Sequence, residues 1–125
     1  MNPYFRSEVV SIGVDVAEML EGGVAIFFAE PCPDELAEVS IVHRVMDSDP
    51  QRDPAPGDVL RVGASTVTLD AVGAIAGENL RSLGHMVVYV NPEEGQDPLP
   101  GAVLATGALT VPTIGETIEI RSGGR

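Results

Sequence analysis

Two histidines, His43 and His85, are the whole imidazole inventory of the chain, so any histidine chemistry is confined to them. An imidazole titrates near neutral pH and has a nucleophilic ring nitrogen. With one nitrogen held and the other exposed, it can form a covalent phosphoryl intermediate. A structural role is the plainer reading of a histidine in a strand, and residue type alone leaves both readings open. A metal centre made of both histidines with Asp47 or Asp49 has no recognised ligand spacing, so no metal is expected. The run Asp47-Ser48-Asp49-Pro50-Gln51-Arg52-Asp53 lacks the glycine and closing glutamate of a calcium loop and reads as a solvated acidic loop. Cys32 is the only cysteine, which rules out an internal disulfide and a cysteine-based zinc cluster and fits a reducing compartment. The glycine-rich phosphate loop with Lys-Ser/Thr, the dinucleotide fingerprint, His-Glu-x-x-His and Gly-x-Ser-x-Gly are all missing from the sequence, which removes the commonest NTPase, zincin and hydrolase signatures.

The elements that must position these histidines are short and strand-rich. Residues 7–13 and 23–29 read as strands, and between them residues 15–21 have a capping aspartate, helix formers and a Gly22-Gly23 stop. Residues 31–38 read as a turn or a single helical turn. Residues 39–46 form a third expected strand, whose alternation puts Ile41, His43 and Val45 on one face and Val42, Arg44 and Met46 on the other. From Asp47 to Pro56 the aspartates and prolines have no periodicity, so a surface loop, flexible beside His43, is expected. A hairpin follows over 56–72, then a short helix over 74–83 closed by Gly84, and strands over 85–90, 101–105 and 117–121. The fold class expected is all-β: a small, barrel-like antiparallel domain with one or two short helices, occupying residues 1–125 as one unit. Pro56-Gly57-x-Val59-Leu60-x-x-Gly63 recurs as Pro100-Gly101-x-Val103-Leu104-x-x-Gly107. This is either the trace of a duplication or ordinary turn-and-strand grammar.

Composition narrows the partners. The 125 residues are 44% hydrophobic, mostly aliphatic, with no Trp, and carry a formal net charge of −12. Such a surface repels the phosphate backbone of nucleic acid and offers no aromatic platform for bases. No stretch approaches the ~20 apolar residues of a membrane span, and the first residues, Met1-Asn2-Pro3-Tyr4-Phe5-Arg6, lack signal-peptide design. A cytoplasmic location without direct membrane insertion is therefore expected.

The segment Ala71-Val72-Gly73-Ala74-Ile75-Ala76-Gly77-Glu78-Asn79-Leu80-Arg81-Ser82-Leu83-Gly84-His85 resembles the signature stretch of the glucitol/sorbitol-specific enzyme IIA component of the bacterial sugar phosphotransferase system. Matching pieces occur in the same order in Pro33-Asp34-Glu35-Leu36, Ile41-Val42-His43, Pro56-Gly57, Leu99-Pro100-Gly101 and Ile114-Gly115-x-x-Ile118-Glu119-Ile120, so the resemblance covers nearly the whole chain. It implies that His43 accepts a phosphoryl group from the histidine-containing phosphocarrier protein, with phosphoenolpyruvate as ultimate donor. It also implies that His43 passes the group to a cysteine of the enzyme IIB partner, for uptake through the membrane-spanning IIC component, without a bound cofactor. His85, at the family's Leu-Gly-His position, is a candidate helper that contacts the phosphoryl group or orients His43; a structural strand-start role is the alternative. A departure is that the family's glycine soon after the active histidine is missing from His43-Arg44-Val45-Met46-Asp47. Arg44 has the chemistry to bind phosphate, but strand alternation turns it away from His43 unless the strand is bulged. Two rival functions remain at this stage. One is a non-catalytic protein-binding or regulatory module on the same barrel; the other is a small metal-dependent enzyme using both histidines.

Overall fold

A computed structural model describes residues 3–123; Met1 and Asn2, which open the N-terminal stretch read above, lie outside them. In chain order the described elements are β1 (Phe5–Ile12), α1 (Val16–Glu21), β2 (Val24–Ala29), α2 (Asp34–Ala37), β3 (Ile41–Ser48), β4 (Val59–Val62), β5 (Ser65–Val72), α3 (Ala76–Leu83), β6 (Met86–Val90), β7 (Ala102–Gly107) and β8 (Thr117–Arg121). The strands close into a barrel in the order β1-β3-β2-β6-β7-β5-β4-β8. The all-β barrel expectation therefore holds, with two refinements. Three short helices are present, α2 being a single turn, and β2·β3 and β6·β7 are parallel pairs in an otherwise antiparallel wall.

The barrel consists of two corresponding halves. The first runs β1-α1-β2-α2-β3-β4; the second runs β5-α3-β6-β7-β8, with a loop where α2 would fall. Val9, Ser11 and Ile12 pair with His43, Val42 and Ile41 across a register shift. Leu69, Ala71 and Val72 pair with Ala105, Leu104 and Val103 across the same shift. Main-chain bonds repeat likewise. Gly13 N–H donates to Ser40 O (3.0 Å) as Gly73 N–H does to Ala102 O (2.7 Å), and Val9 N–H to Glu116 O (2.9 Å) as Leu69 N–H to Asp58 O (2.8 Å). Because β2·β6 and β4·β8 are self-complementary antiparallel pairs, the halves relate by a two-fold axis across the barrel. The internal repeat is thus a correspondence of the two halves, and the Pro-Gly echo read in the sequence is not its trace. Gly57 corresponds to Gly115, each donating to the matching strand residue, Leu69 O and Val9 O, and not to Gly101.

The halves also share a steric constraint. A Cβ on Gly13 would lie 2.2 Å from Ala37 O and Glu38 O, and one on Gly73 would lie 2.1 Å from Leu99 O. At both places one chain passes directly against another, so only glycine fits. Immediately afterwards α1 and α3 begin. Since β2 and β6 run antiparallel, the helices that precede them sit at opposite ends of the barrel. Val16 from α1, and Ala76 and Leu80 from α3, join the core formed by Val9, Phe27, Ile41, Leu69, Met86, Val88, Val103 and Ile118. Helix α3 closes the end nearest His43, where Ala29 of β2 pairs with His43 and Met86 of β6 pairs with Phe27.

Two local expectations are corrected. Strand β3 continues through Asp47 and Ser48, paired with Arg6 and Phe5, so the loop begins later than the acidic composition suggests. That loop is also fastened, not loose. The Tyr4 hydroxyl donates to Asp58 Oδ2 (2.5 Å), Ala55 N–H donates to the same oxygen (3.0 Å), and Asp49 N–H donates to Tyr4 O (2.9 Å). The Arg52 guanidinium lies 4.6 Å over the Tyr4 ring, and Asp53 pairs with Arg81 of α3. Burial and the Asp58 carboxylate push the Tyr4 phenol far above its usual range, keeping it a donor at every working pH.

The close approach at Gly73 gives a direct test. Gly73→Ala is expected to lower unfolding stability by at least about 2 kcal/mol, seen as a lower urea midpoint. Gly57→Ala, where nothing lies near the added Cβ, carries only the strain of its positive φ of 93°.

Candidate functional site

His43 comes from the middle of β3, where the wall turns from buried to exposed. Ile41, Val42 and His43 are buried, whereas Arg44, Val45 and Met46 face solvent. The expected alternation holds for Ile41 and His43; Val45, paired with Ser7 in the same unshifted register, lies toward the rim of the barrel and is 39% exposed. A second register shift, between Arg6 and Ser7, leaves Met46 unpaired and twists this end of β3 away from the core. The His43 ring points into the barrel and is 1% exposed. Phe5 and Phe27 meet it edge-on, with ring centroids 6.1 and 6.4 Å away.

His43 Nε2 lies 2.8 Å from the carbonyl oxygen of Gly84. A carbonyl oxygen only accepts, so Nε2 carries the proton and Nδ1 keeps its lone pair. Gly84 can take this position because it caps α3 with φ 62°, and a Cβ there would lie 2.4 Å from that of Ala29. Burial pushes the His43 imidazole below its ordinary value near 6.5, the Gly84 bond opposing that shift. The ring is therefore neutral and nucleophilic at neutral pH. Its Nδ1, however, is buried without a protein hydrogen-bond partner. The sequence reading required one ring nitrogen to be exposed; the structure shields both.

His85 and Arg44 stand apart from this ring. Since β2 alternates, Phe27 faces inward and Phe28 outward, and His85 packs on Phe28 at 5.1 Å between centroids. The two histidines thus occupy opposite faces of the wall, separated by Gly84. Arg44 Nε donates to Glu30 Oε2 at 2.6 Å, and Glu8 lies 4.0 Å from the guanidinium. These carboxylates hold Arg44 on the outer face, as strand alternation requires. Among the described residues no group of histidine, cysteine, aspartate and glutamate side chains is arranged to hold a metal ion, and no helix is long and apolar enough to cross a membrane. Beside Gly84 a cleft of about 380 Å³ is lined by Phe28, Ala29, Pro31, Val45 and Leu83 among others. Sequence reasoning missed the Gly84 carbonyl because a main-chain acceptor leaves no trace in residue type. Only the glycine itself, after a helical segment, marked the turn.

The closed barrel that carries this histidine is an architecture already seen in the sugar phosphotransferase system. The crystal structure of a PTS system IIA component from Enterococcus faecalis V583 superposes with a TM-score of 0.77 at 28% identity, covering 90% of this chain and 96% of that one. Residues 4–119 match the family of PTS system glucitol/sorbitol-specific IIA components, and the chain belongs to that family. The glucitol/sorbitol-specific EIIA components of Shigella flexneri and Escherichia coli (strain K12) are each 27% identical over 88 residues, 70% of this chain and 70% of theirs. The protein is thereby a phosphotransferase component, as the sequence resemblance implied.

The depressed pKa of His43 makes stability depend on pH. The unfolded chain titrates near 6.5 and the folded chain lower, so between the two values the unfolded state binds more protons. The stabilisation is fully present above the unfolded value and is lost as pH falls through the window beneath it. Melting curves should show wild type losing more Tm than His43→Gln between about pH 7 and about pH 5. Parallel losses would mean that His43 is not buried neutral.

Proposed function

We propose that the protein is the IIA phosphocarrier of a glucitol/sorbitol or related polyol transporter, with His43 as phosphoryl acceptor. The group comes from the histidine-containing phosphocarrier protein and goes to a cysteine of the IIB component. The family match over residues 4–119 carries this reading. The buried neutral imidazole supports it, because only an unprotonated ring nitrogen attacks phosphorus. In the transfer the donor's N–P bond breaks as the N–P bond to His43 forms, and the leaving imidazole keeps the electron pair. The His43 proton stays on Nε2 against Gly84. A dianionic phosphoryl group is far too costly to bury without partners. The structure described is on this reading the unphosphorylated form, and the backbone covering His43 moves before transfer. Arg44 and His85, both on the outer face, have no direct contact with the ring and act, if at all, on the partner.

The near-complete burial of His43 favours one second reading, a binding module in which the ring is only a core residue. Incubating wild type, His43→Ala and His85→Ala with phosphoenolpyruvate, enzyme I and the phosphocarrier protein separates the two by intact mass. The expected result is an acid-labile gain of one phosphoryl group in wild type and His85→Ala, and none in His43→Ala. No gain in wild type, with donors shown active on another acceptor, establishes the binding module.

A further inference from the structure

The two-fold halves supply an internal comparison that isolates what is special about one of them. Matching pairs place His43 where the other half has Ala105, Val9 where it has Leu69, and Ser7 where it has Val67. Val67 and Ala105 are buried apolar core residues; Ser7 and His43 are equally buried but polar. Exchanging an apolar pair for a polar pair in a barrel core costs stability unless the polar atoms are satisfied.

Ser7 and His43 also share one inward face. Along β1, Phe5, Ser7 and Val9 are the buried residues. Phe5 meets the His43 ring and Val9 is its direct cross-strand partner, so Ser7, between them, is the diagonal neighbour of His43. Such neighbours have Cα atoms about 7–8 Å apart, which leaves room for one water between a serine hydroxyl and an imidazole nitrogen. Among the described residues only four buried side-chain polar atoms lack a protein partner, and Ser7 Oγ and His43 Nδ1 are two of them. The other two belong to Ser40 and His85. Ser40 lies an odd number of residues from His43 along the chain leading into β3, and His85 lies outside the wall against Phe28.

We propose that Ser7 is a positioning residue for His43: its buried hydroxyl holds the Nδ1 lone pair through one bound water, while the Gly84 carbonyl holds Nε2–H. The ring is then fixed from both ends as a single tautomer, with Nδ1 as the nitrogen that takes the phosphoryl group. The bridging water marks the place that a phosphoryl oxygen occupies after transfer, so Ser7 passes from holding water to holding phosphate. This rests on the phosphocarrier reading of His43 for its consequence in transfer, but not for the ring geometry.

The test uses the full chain labelled with ¹⁵N-histidine, as wild type, Ser7→Ala, Ser7→Thr and His85→Ala, the last assigning the resonances. Wild type should show the Nε2–H tautomer, with Nδ1 shifted from the free lone-pair position toward the hydrogen-bonded one. Ser7→Ala should return Nδ1 to the free position and slow phosphorylation of His43 about fivefold. Ser7→Thr, which keeps the hydroxyl, should restore both. Phosphorylated wild type should carry its phosphorus on Nδ1 by ¹H–¹⁵N long-range correlation. A free Nδ1 resonance in wild type, an Nδ1–H tautomer or phosphorus on Nε2 would each overturn the proposal, and the first two are read even if Ser7→Ala fails to fold. If wild type takes no phosphoryl group, the phosphocarrier reading fails, whereas the Nδ1 resonance still decides whether Ser7 holds the ring.

Discussion

The close passage of backbone against backbone at Gly13 and Gly73 is the constraint on which the rest of the barrel depends. At each point a strand leaves the wall beneath the segment leading into its neighbour, and main-chain hydrogen bonds lock the crossing. A helix then starts at a fixed place over the end of the barrel. Helix α3 is set in this way, and with it the position of the Gly84 carbonyl. The hydrogen bond to His43 is therefore a consequence of a backbone crossing at the other end of α3. Substitutions at Gly73 and at Gly84 strain the same assembly from two sides, and they are expected to behave as coupled sites.

The internal repeat explains why the fold has a spare core. Both halves close the same way, yet only the first places a histidine and a serine at positions that the second fills with alanine and valine. The second half then supplies apolar packing around Val103, Leu69 and Val67, which offsets the cost of a buried polar pair in the first. Stability and chemistry are divided between halves of one barrel. The acidic, proline-rich loop belongs to the same division. It spans from β3 to β4 only in the first half, is tied by Tyr4, Asp58 and Arg52, and reaches α3 through Asp53 and Arg81.

Burial sets the chemical state of the site more than any charge does. Among the described residues no ion pair touches His43; desolvation by the barrel core favours its neutral form. A neutral ring is a nucleophile, but a ring closed off from solvent is reached only when the structure opens. Resting protection and reactivity therefore have the same physical origin. Keeping Arg44 on Glu30 and Glu8 fits this arrangement, because a guanidinium beside the ring would favour phosphate but also admit water.

Local pattern by itself determined most of the elements of this protein, since alternation, glycine stops and turn residues act over a few residues and tertiary packing did not override them. It also determined the family, through an ordered set of short pieces, and confined imidazole chemistry to His43 and His85. Only the tertiary structure decided the rest. The extra residues that shift register in β1 and β3 cost nothing in composition, so they are invisible in the sequence, yet they decide which residues of the two strands face each other on either side of His43. The repeat frame was masked because the matching glycines are held by backbone bonds and not by similar neighbours. The acceptor on Nε2 is a main-chain oxygen, and the nearness of Ser7 to Nδ1 depends on pairing between strands far apart in the chain, which local pattern does not encode.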